Sequence, residues 1–191
     1  MLALLDTGFS NLKAFVNVLN YIGKKYVIIN NGNDLIVDHH NCLLLPGVSN
    51  FGALATELDK RNFRSKIIES SFRGSKIVGT CSGMQVLFNC SEESTSAKGL
   101  GLINGKVKKF PQKDKIDINI GWKKTKSSKY FFIHGFYCST NESLEQEEYS
   151  NFNGIRFLSE FQHQNIFGFQ YHPEKSGIEG VDRLESIISK D

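Results

Sequence analysis

The chain has 191 residues, enough for one domain with its own hydrophobic core, so a single domain over residues 1–191 is expected. Lysine and arginine total 23 against 20 aspartates and glutamates, and this formal charge of +3, with both signs interspersed, is too mild to imply nucleic acid. No apolar stretch approaches the roughly 20 residues of a membrane span, and Asp6 interrupts the opening MLALLDTGFS where a secretory signal would stay apolar.

In chain order, Leu2 to Leu5 is a short apolar run closed by Asp6-Thr7-Gly8. Leu12, Phe15, Val16, Leu19 and Ile22 then share a helical face, with Ser10 or Asn11 placed to cap it. Tyr26 to Ile29 and Cys42 to Leu45 are further strand-like runs, the second stopped by Pro46-Gly47, while Leu54, Leu58, Ile67 and Ile68 suit helical cover. Lys76 to Thr80 is the next strand. This alternation predicts an α/β fold, an open mixed and mostly parallel sheet flanked by helices on both faces. The second half reads differently. Lys106 to Phe110, Ile116 to Ile120, Lys129 to Cys138 and Ile155 to Tyr171 are strand-like with polar breaks, which predicts an added antiparallel section. Lys123 to Lys129 reads as a basic, Ser-rich loop, and Ile178, Val181, Leu184 and Ile188 as a closing amphipathic helix.

The sharpest chemical signal is Gly79-Thr-Cys81-Ser82-Gly83-Met-Gln85, with a strand before it and a helix, running on toward Phe88, after it. A nucleophile on a strained strand-to-helix turn needs small residues two before and two after, because the chain there passes close to itself. The helix N-terminus favours thiolate over thiol, and the Ser82 N–H is placed to bind an oxyanion. Glycine on both sides decides against a merely buried cysteine.

A thiol nucleophile needs a base. Of the five histidines, His172 stands where an apolar strand stops at Pro173, and Glu174, two residues on, falls on the same side of an extended chain to hold the imidazole tautomer. His134, in an aromatic strand, reads as structural, and His39 and His40 as surface residues. Cys42, Cys90 and Cys138 lack glycine elbows and read as core or near-core thiols. The four cysteines form neither a CxxC pair nor a zinc-type cluster, so reduced thiols, no metal and no cofactor are expected. Leu45-Pro-Gly-Val48-Ser49 ends a strand in a turn whose backbone N–H groups could complete the oxyanion hole, a contribution of about 3 to 4 kcal/mol per donor.

Together the Pro-Gly turn, the Gly-x-Cys-x-Gly elbow and the late His-Pro-Glu resemble, in that order and over nearly the whole chain, the class I (triad) glutamine amidotransferase family, whose fold is flavodoxin-like. Asp6-x-Gly8-x-x-Asn11-Leu12, Lys98-Gly-Leu-Gly-Leu-Ile103, Gly121-Trp122, Ile133-His134 and His172-Pro-Glu-Lys-Ser-Gly177 narrow the resemblance to the glutaminase subunits of imidazole glycerol phosphate synthases. The resemblance implies that Cys81 attacks the glutamine carboxamide, that His172 moves the proton and that Glu174 orients His172. It implies glutamine and oxyanion contacts at Val48, Ser49, Gly52, Ser82 and Gln85. It further implies a heterodimer in which ammonia passes to a (β/α)8 cyclase subunit. The interface expected from it includes Ile118, Asn119, Ile120, Trp122, Tyr137 and Lys175. The chain departs from the family at Ser49, where glycine is usual and a peptide is thought to flip on activation, at Ser82, where leucine is common, and at Gly135-Phe136, more usually Ser-Tyr. A paralogue that feeds ammonia to surface-sugar amidination and a catalytically silent scaffold are the competing readings.

Overall fold

The computed structural model of the protein describes residues 1–111 and 118–189. In chain order it forms β1 (Leu2–Leu5), α1 (Leu12–Tyr21), β2 (Tyr26–Ile29), β3 (Cys42–Gly47), α2 (Phe51–Lys60), α3 (Phe63–Phe72) and β4 (Lys76–Cys81). A single helical turn, α4 (Ser82–Gln85), follows. Then come β5 (Phe88–Ser91), β6 (Ser94–Lys98), β7 (Ile103–Lys109), β8 (Asn119–Lys124), β9 (Lys129–His134), β10 (Phe136–Thr140), β11 (Gln146–Phe152), β12 (Ile155–His163), β13 (Ile166–Phe169) and α5 (Gly177–Ile188).

The main sheet has the order β11-β12-β13-β4-β3-β1-β2, parallel from β13 through β2 and antiparallel at the β11-β12-β13 edge. Every residue of β1, β3 and β13 is buried, as central parallel strands covered on both faces require. Phe15, Val18 and Leu19 of α1 and Leu184, Ile187 and Ile188 of α5 cover one face; Leu54 and Leu58 of α2 and Phe63 and Ile67 of α3 cover the other. Two smaller sheets complete the second half: β10-β7-β5-β6 and the β8-β9 hairpin. Both predicted features, the parallel core with helices on its faces and the antiparallel addition, are present.

Several boundaries differ from the sequence reading. Lys129 to Cys138 is two strands in two different sheets, because the chain turns at Gly135, and Ile155 to Tyr171 is a hairpin of β12 and β13. Of the stretch Ile116 to Ile120, Asn119 and Ile120 open β8, whereas residues 116 and 117 lie outside the described residues. Lys123 and Lys124 finish β8, so the loop shortens to residues 125–128, closed by the Thr125 N–H donating to the Ser128 carbonyl. Asn11 occupies the N-cap of α1 without a side-chain capping bond, and Ile178 of α5 is 52% exposed rather than inward. His40 is buried, its ring Nδ1 without a hydrogen-bond partner among the described residues, and Cys90 is exposed. Alternation along short irregular segments carries too little periodicity to tell the two faces apart.

Candidate active site

Cys81 ends β4 in a backbone conformation (φ 52°, ψ −114°) that L-residues rarely adopt, a strain of about 1–3 kcal/mol that the surrounding structure must hold. Two glycines make that possible. A Cβ on Gly79 would stand 2.5 Å from the Gly83 carbonyl oxygen, and one on Gly83 only 2.0 Å from the Leu45 carbonyl oxygen, so any side chain at either position would push β3, β4 and α4 apart. The helix behind Cys81 is one turn and gives way to β5 at Phe88, which corrects the longer helix expected from sequence. Whatever the turn offers an anion thus comes from the unbonded N–H groups of a first helical turn and not from a long aligned dipole.

His172 follows β13 and is held from three sides. Its N–H donates to the Phe131 carbonyl at 2.9 Å, and its own carbonyl accepts from the Ser176 hydroxyl at 2.6 Å. That hydroxyl also accepts from the Phe131 N–H, so Ser176 ties β9 to the His172 corner, a role sequence reasoning missed. The ring Nδ1 lies 2.9 Å from Glu174 Oε1, and the Glu174 side chain is completely buried. The reason differs from the one expected. The chain leaves the extended conformation after His172, and a short 3-10 turn over Pro173–Lys175 brings the carboxylate back to the ring. Nε2 is buried with no hydrogen-bond partner among the described residues, while the Cys81 thiol is turned toward the Ile133 carbonyl at 3.7 Å. Burial by itself would lower the His172 pKa, but the neighbouring Cys81 sulfur and the hydrogen-bonded Glu174 carboxylate outweigh it and raise it from 6.5 to about 10. Cys81 and His172 are thus electrostatically linked. Burial pushes the Cys42 thiol up to about 12 and the Cys138 thiol well above its ordinary value, which makes both poor nucleophiles.

A cavity of about 260 Å³ opens over this pair. Of the residues singled out from sequence, Val48, Ser49, Cys81, Gln85, His172 and Lys175 line it. Ser82 is buried beneath, and Gly52 lies outside, lining a neighbouring groove against Ser94. Glu93, Ile133, His134 and Phe136 also line the cavity, and of these Glu93 was not anticipated at all. Glu93, the acidic side chain of that lining, accepts from the Phe51 N–H at 2.7 Å; only the β5-β6 turn brings it there, and no local motif marks it. The turn after β3 is not an open oxyanion donor in this state. The Val48 N–H points away and donates to the Phe9 carbonyl at 2.8 Å, and Ser49 is not among the residues with positive φ.

Outside the cavity, Ile118, Ile120 and Trp122 are 47–55% exposed and form with Ile133 an apolar face on the β8-β9 hairpin, with Lys175 exposed nearby. Asn119 does not belong to that surface. It is fully buried, because alternation along β8 turns its side chain inward while its neighbours face out. Tyr137 is half-buried, its ring 4.7 Å from that of Phe110.

Fold and geometry together define an α/β domain with a cysteine on a strained elbow and a histidine–carboxylate pair beside the same cavity. A profile of the glutamine amidotransferase class-I family matches residues 3–185. The imidazole glycerol phosphate synthase subunit HisH of Chlorobium chlorochromatii is 34% identical over 98% of this chain and 98% of its own length. The imidazole glycerol phosphate synthase hisHF of Schizosaccharomyces pombe is 27% identical over 99% of this chain and 38% of its own length. A crystal structure of a glutamine amidotransferase shares the fold with a TM-score of 0.77, over 98% of this chain and 99% of that one, at 10% identity. The chain belongs to the class-I glutamine amidotransferases and, within them, to the HisH subunits of imidazole glycerol phosphate synthase.

Proposed function

We propose that the chain hydrolyses glutamine to glutamate and ammonia in the cytoplasm and delivers the ammonia to a (β/α)8 cyclase subunit with which it forms a heterodimer. The observation that carries this reading is the His172–Glu174 pair facing Cys81 on its elbow at the floor of one cavity. The Cys81 thiolate attacks the side-chain carbonyl carbon of glutamine; the carbon–sulfur bond forms as the carbon–nitrogen bond breaks. His172 gives its proton to the departing nitrogen, which leaves as ammonia, and then takes one from the water that cleaves the glutamyl thioester. Glutamate leaves and the Cys81 thiol is restored. Glu174 keeps the proton of Nδ1 in place throughout and stabilises the cation. Gln85 offers amide contacts inside the cavity, and Glu93 a carboxylate suited to the substrate's α-ammonium.

The oxyanion forms near the Ser82 N–H, and a second donor becomes available when the Val48 N–H lets go of Phe9. If that rearrangement carries Ser49 into the left-handed region, it costs about 1–2 kcal/mol more than for glycine, so a low basal rate and strong dependence on the partner are expected. The partner's place is the apolar face of Ile118, Ile120, Trp122 and Ile133, too contiguous to be incidental and set beside the cavity through Ile133. A relative named hisHF, of which this chain matches 38%, supports a joined cyclase.

The test is glutamate release from glutamine by the purified chain, alone and with a histidine-pathway cyclase subunit and its nucleotide substrate. Strong stimulation by that pair is the expected result. Turnover without stimulation would redirect the ammonia to another acceptor, such as a surface-sugar amidination system. Absence of turnover in either setting, with Cys81 unreactive, would leave a scaffold. Ile120→Asp is expected to weaken cyclase binding at least tenfold, read by titration calorimetry, with the melting temperature unchanged.

A further inference from the structure

Beneath the cavity a line of buried polar groups runs from the β8-β9 hairpin to the strand end that carries His172. At one end Asn119 and His134 are register partners across β8 and β9, and Asn119 Nδ2 lies 2.9 Å from His134 Nε2. The other ring nitrogen, Nδ1, lies 2.7 Å from the Phe136 carbonyl oxygen. A carbonyl can only accept, so Nδ1 carries the proton, Nε2 must be the acceptor, and the Asn119 amide must donate. The ring is neutral because burial pushes its pKa down to about 4. The same Phe136 carbonyl accepts from Gln85 Nε2 at 3.1 Å, and Gln85 Nε2 also reaches Gln170 Oε1 at 3.3 Å, two residues before His172. Both hydrogens of the Gln85 amide are thereby committed, which leaves its oxygen orientation set by partners that His134 and Asn119 hold in place.

We propose that Asn119 is a positioning residue for the substrate site: by fixing the His134 tautomer it fixes the Phe136 carbonyl and, through it, the Gln85 carboxamide that lines the cavity. Asn119 touches no substrate. Its side chain is wholly buried one residue from the exposed Ile118 and Ile120, so a shift of the hairpin reaches Gln85 along this path. The arrangement also accounts for a histidine inside the cavity wall that takes no proton from Cys81: both its nitrogens are already engaged.

This rests on the glutaminase reading, and the test separates the two. Cys81 in the full chain is alkylated with two electrophiles, the glutamine-shaped 6-diazo-5-oxonorleucine and the small iodoacetamide, in wild type, Asn119→Ala and the isosteric Asn119→Asp. The aspartate keeps the volume but replaces the donor by an acceptor, so Nε2 must take up a proton. Both variants are expected to lose about tenfold in rate with the glutamine analogue, the size of one misplaced hydrogen bond to a ligand, and to react with iodoacetamide within twofold of wild type. Ring nitrogen resonances of His134 are expected to report the Nδ1–H tautomer in wild type and a doubly protonated ring in Asn119→Asp. Unchanged selectivity between the electrophiles in a folded Asn119→Asp, or the opposite tautomer in wild type, would overturn the assignment. Wild type that reacts with iodoacetamide and ignores the glutamine analogue would instead remove the glutaminase reading on which it stands.

Discussion

Two histidines line the same cavity and are buried to a similar degree, His172 at 1% exposure and His134 at 6%, yet their imidazoles sit at opposite ends of the titration range. At the His134 corner the ring meets a carbonyl and a neutral amide, the hydrogen bond to the Phe136 carbonyl offsets only part of the loss of water, and the pKa falls to about 4. At the His172 corner the desolvation penalty is at least as real, but a buried carboxylate and the sulfur of Cys81 outweigh it, and the pKa rises to about 10. Burial decides how much a charge matters; the partner decides its sign. One corner thus favours the neutral ring and the other the protonated ring.

The most severe way to break this contrast is to remove the group that gives His172 its task. Cys81→Ala is expected to reduce glutamine-dependent turnover to background while sparing turnover of the complex with free ammonia, measured by coupled assay of both activities. Equal loss of both would place Cys81 outside the glutamine step. Glu174→Gln keeps the shape of the His172 contact but replaces the carboxylate with an amide that favours the wrong tautomer. By analogy with triad enzymes, kcat is expected to fall by roughly 10²–10⁴ with a much smaller change in KM. The His172 corner would then come to resemble the His134 corner, and the ring titration followed by NMR should move down accordingly.

Smaller, but more diagnostic, is the dependence of stability on pH. For His172 the folded pKa lies above the unfolded value of 6.5, so its contribution is complete below about pH 6.5 and is lost as pH rises toward 10, at a slope of at most about 1.4 kcal/mol per pH unit. His134 has the opposite sign: its folded pKa is depressed, so stability is complete above about pH 6.5 and is lost as pH falls toward 4. Urea denaturation between pH 4 and 10 should show both limbs. Cys81→Ser should flatten the alkaline limb and leave the acid limb in place; a parallel change in both would mean that the two corners do not titrate independently.

Much of the active-site corner was legible before folding was considered. A nucleophile elbow is a local object: Gly79 and Gly83 are needed because the chain passes within 2.0–2.5 Å of where their side chains would be. That requirement is written two residues either side of Cys81. The parallel strands were equally plain, since burial on both faces makes β1 and β3 apolar throughout. Glu93 and Ser176 were not legible as site residues, nor Asn119 as anything but an interface residue, because each reaches across 15 to 45 residues of sequence, to Phe51, Phe131 and His134 respectively. No periodicity or spacing marks such contacts. Asn119 shows the limit most clearly, for the family resemblance grouped it with Ile118, Ile120 and Trp122 at an interface and the pleat of β8 turned it inward.

The sequence by itself determined the strand–helix alternation of the first half and the glycine-flanked elbow, and it marked Cys81, His172 and Glu174 as the candidate trio, because these depend on steric and hydrophobic rules that act over a few neighbouring residues. Tertiary structure alone decided how far burial and partners move each histidine's pKa, where the Val48 N–H points and which residues of the hairpin face solvent. Those outcomes depend on the dielectric and the hydrogen-bond partners that arrive from distant strands, and neither is encoded at the residue on which they act.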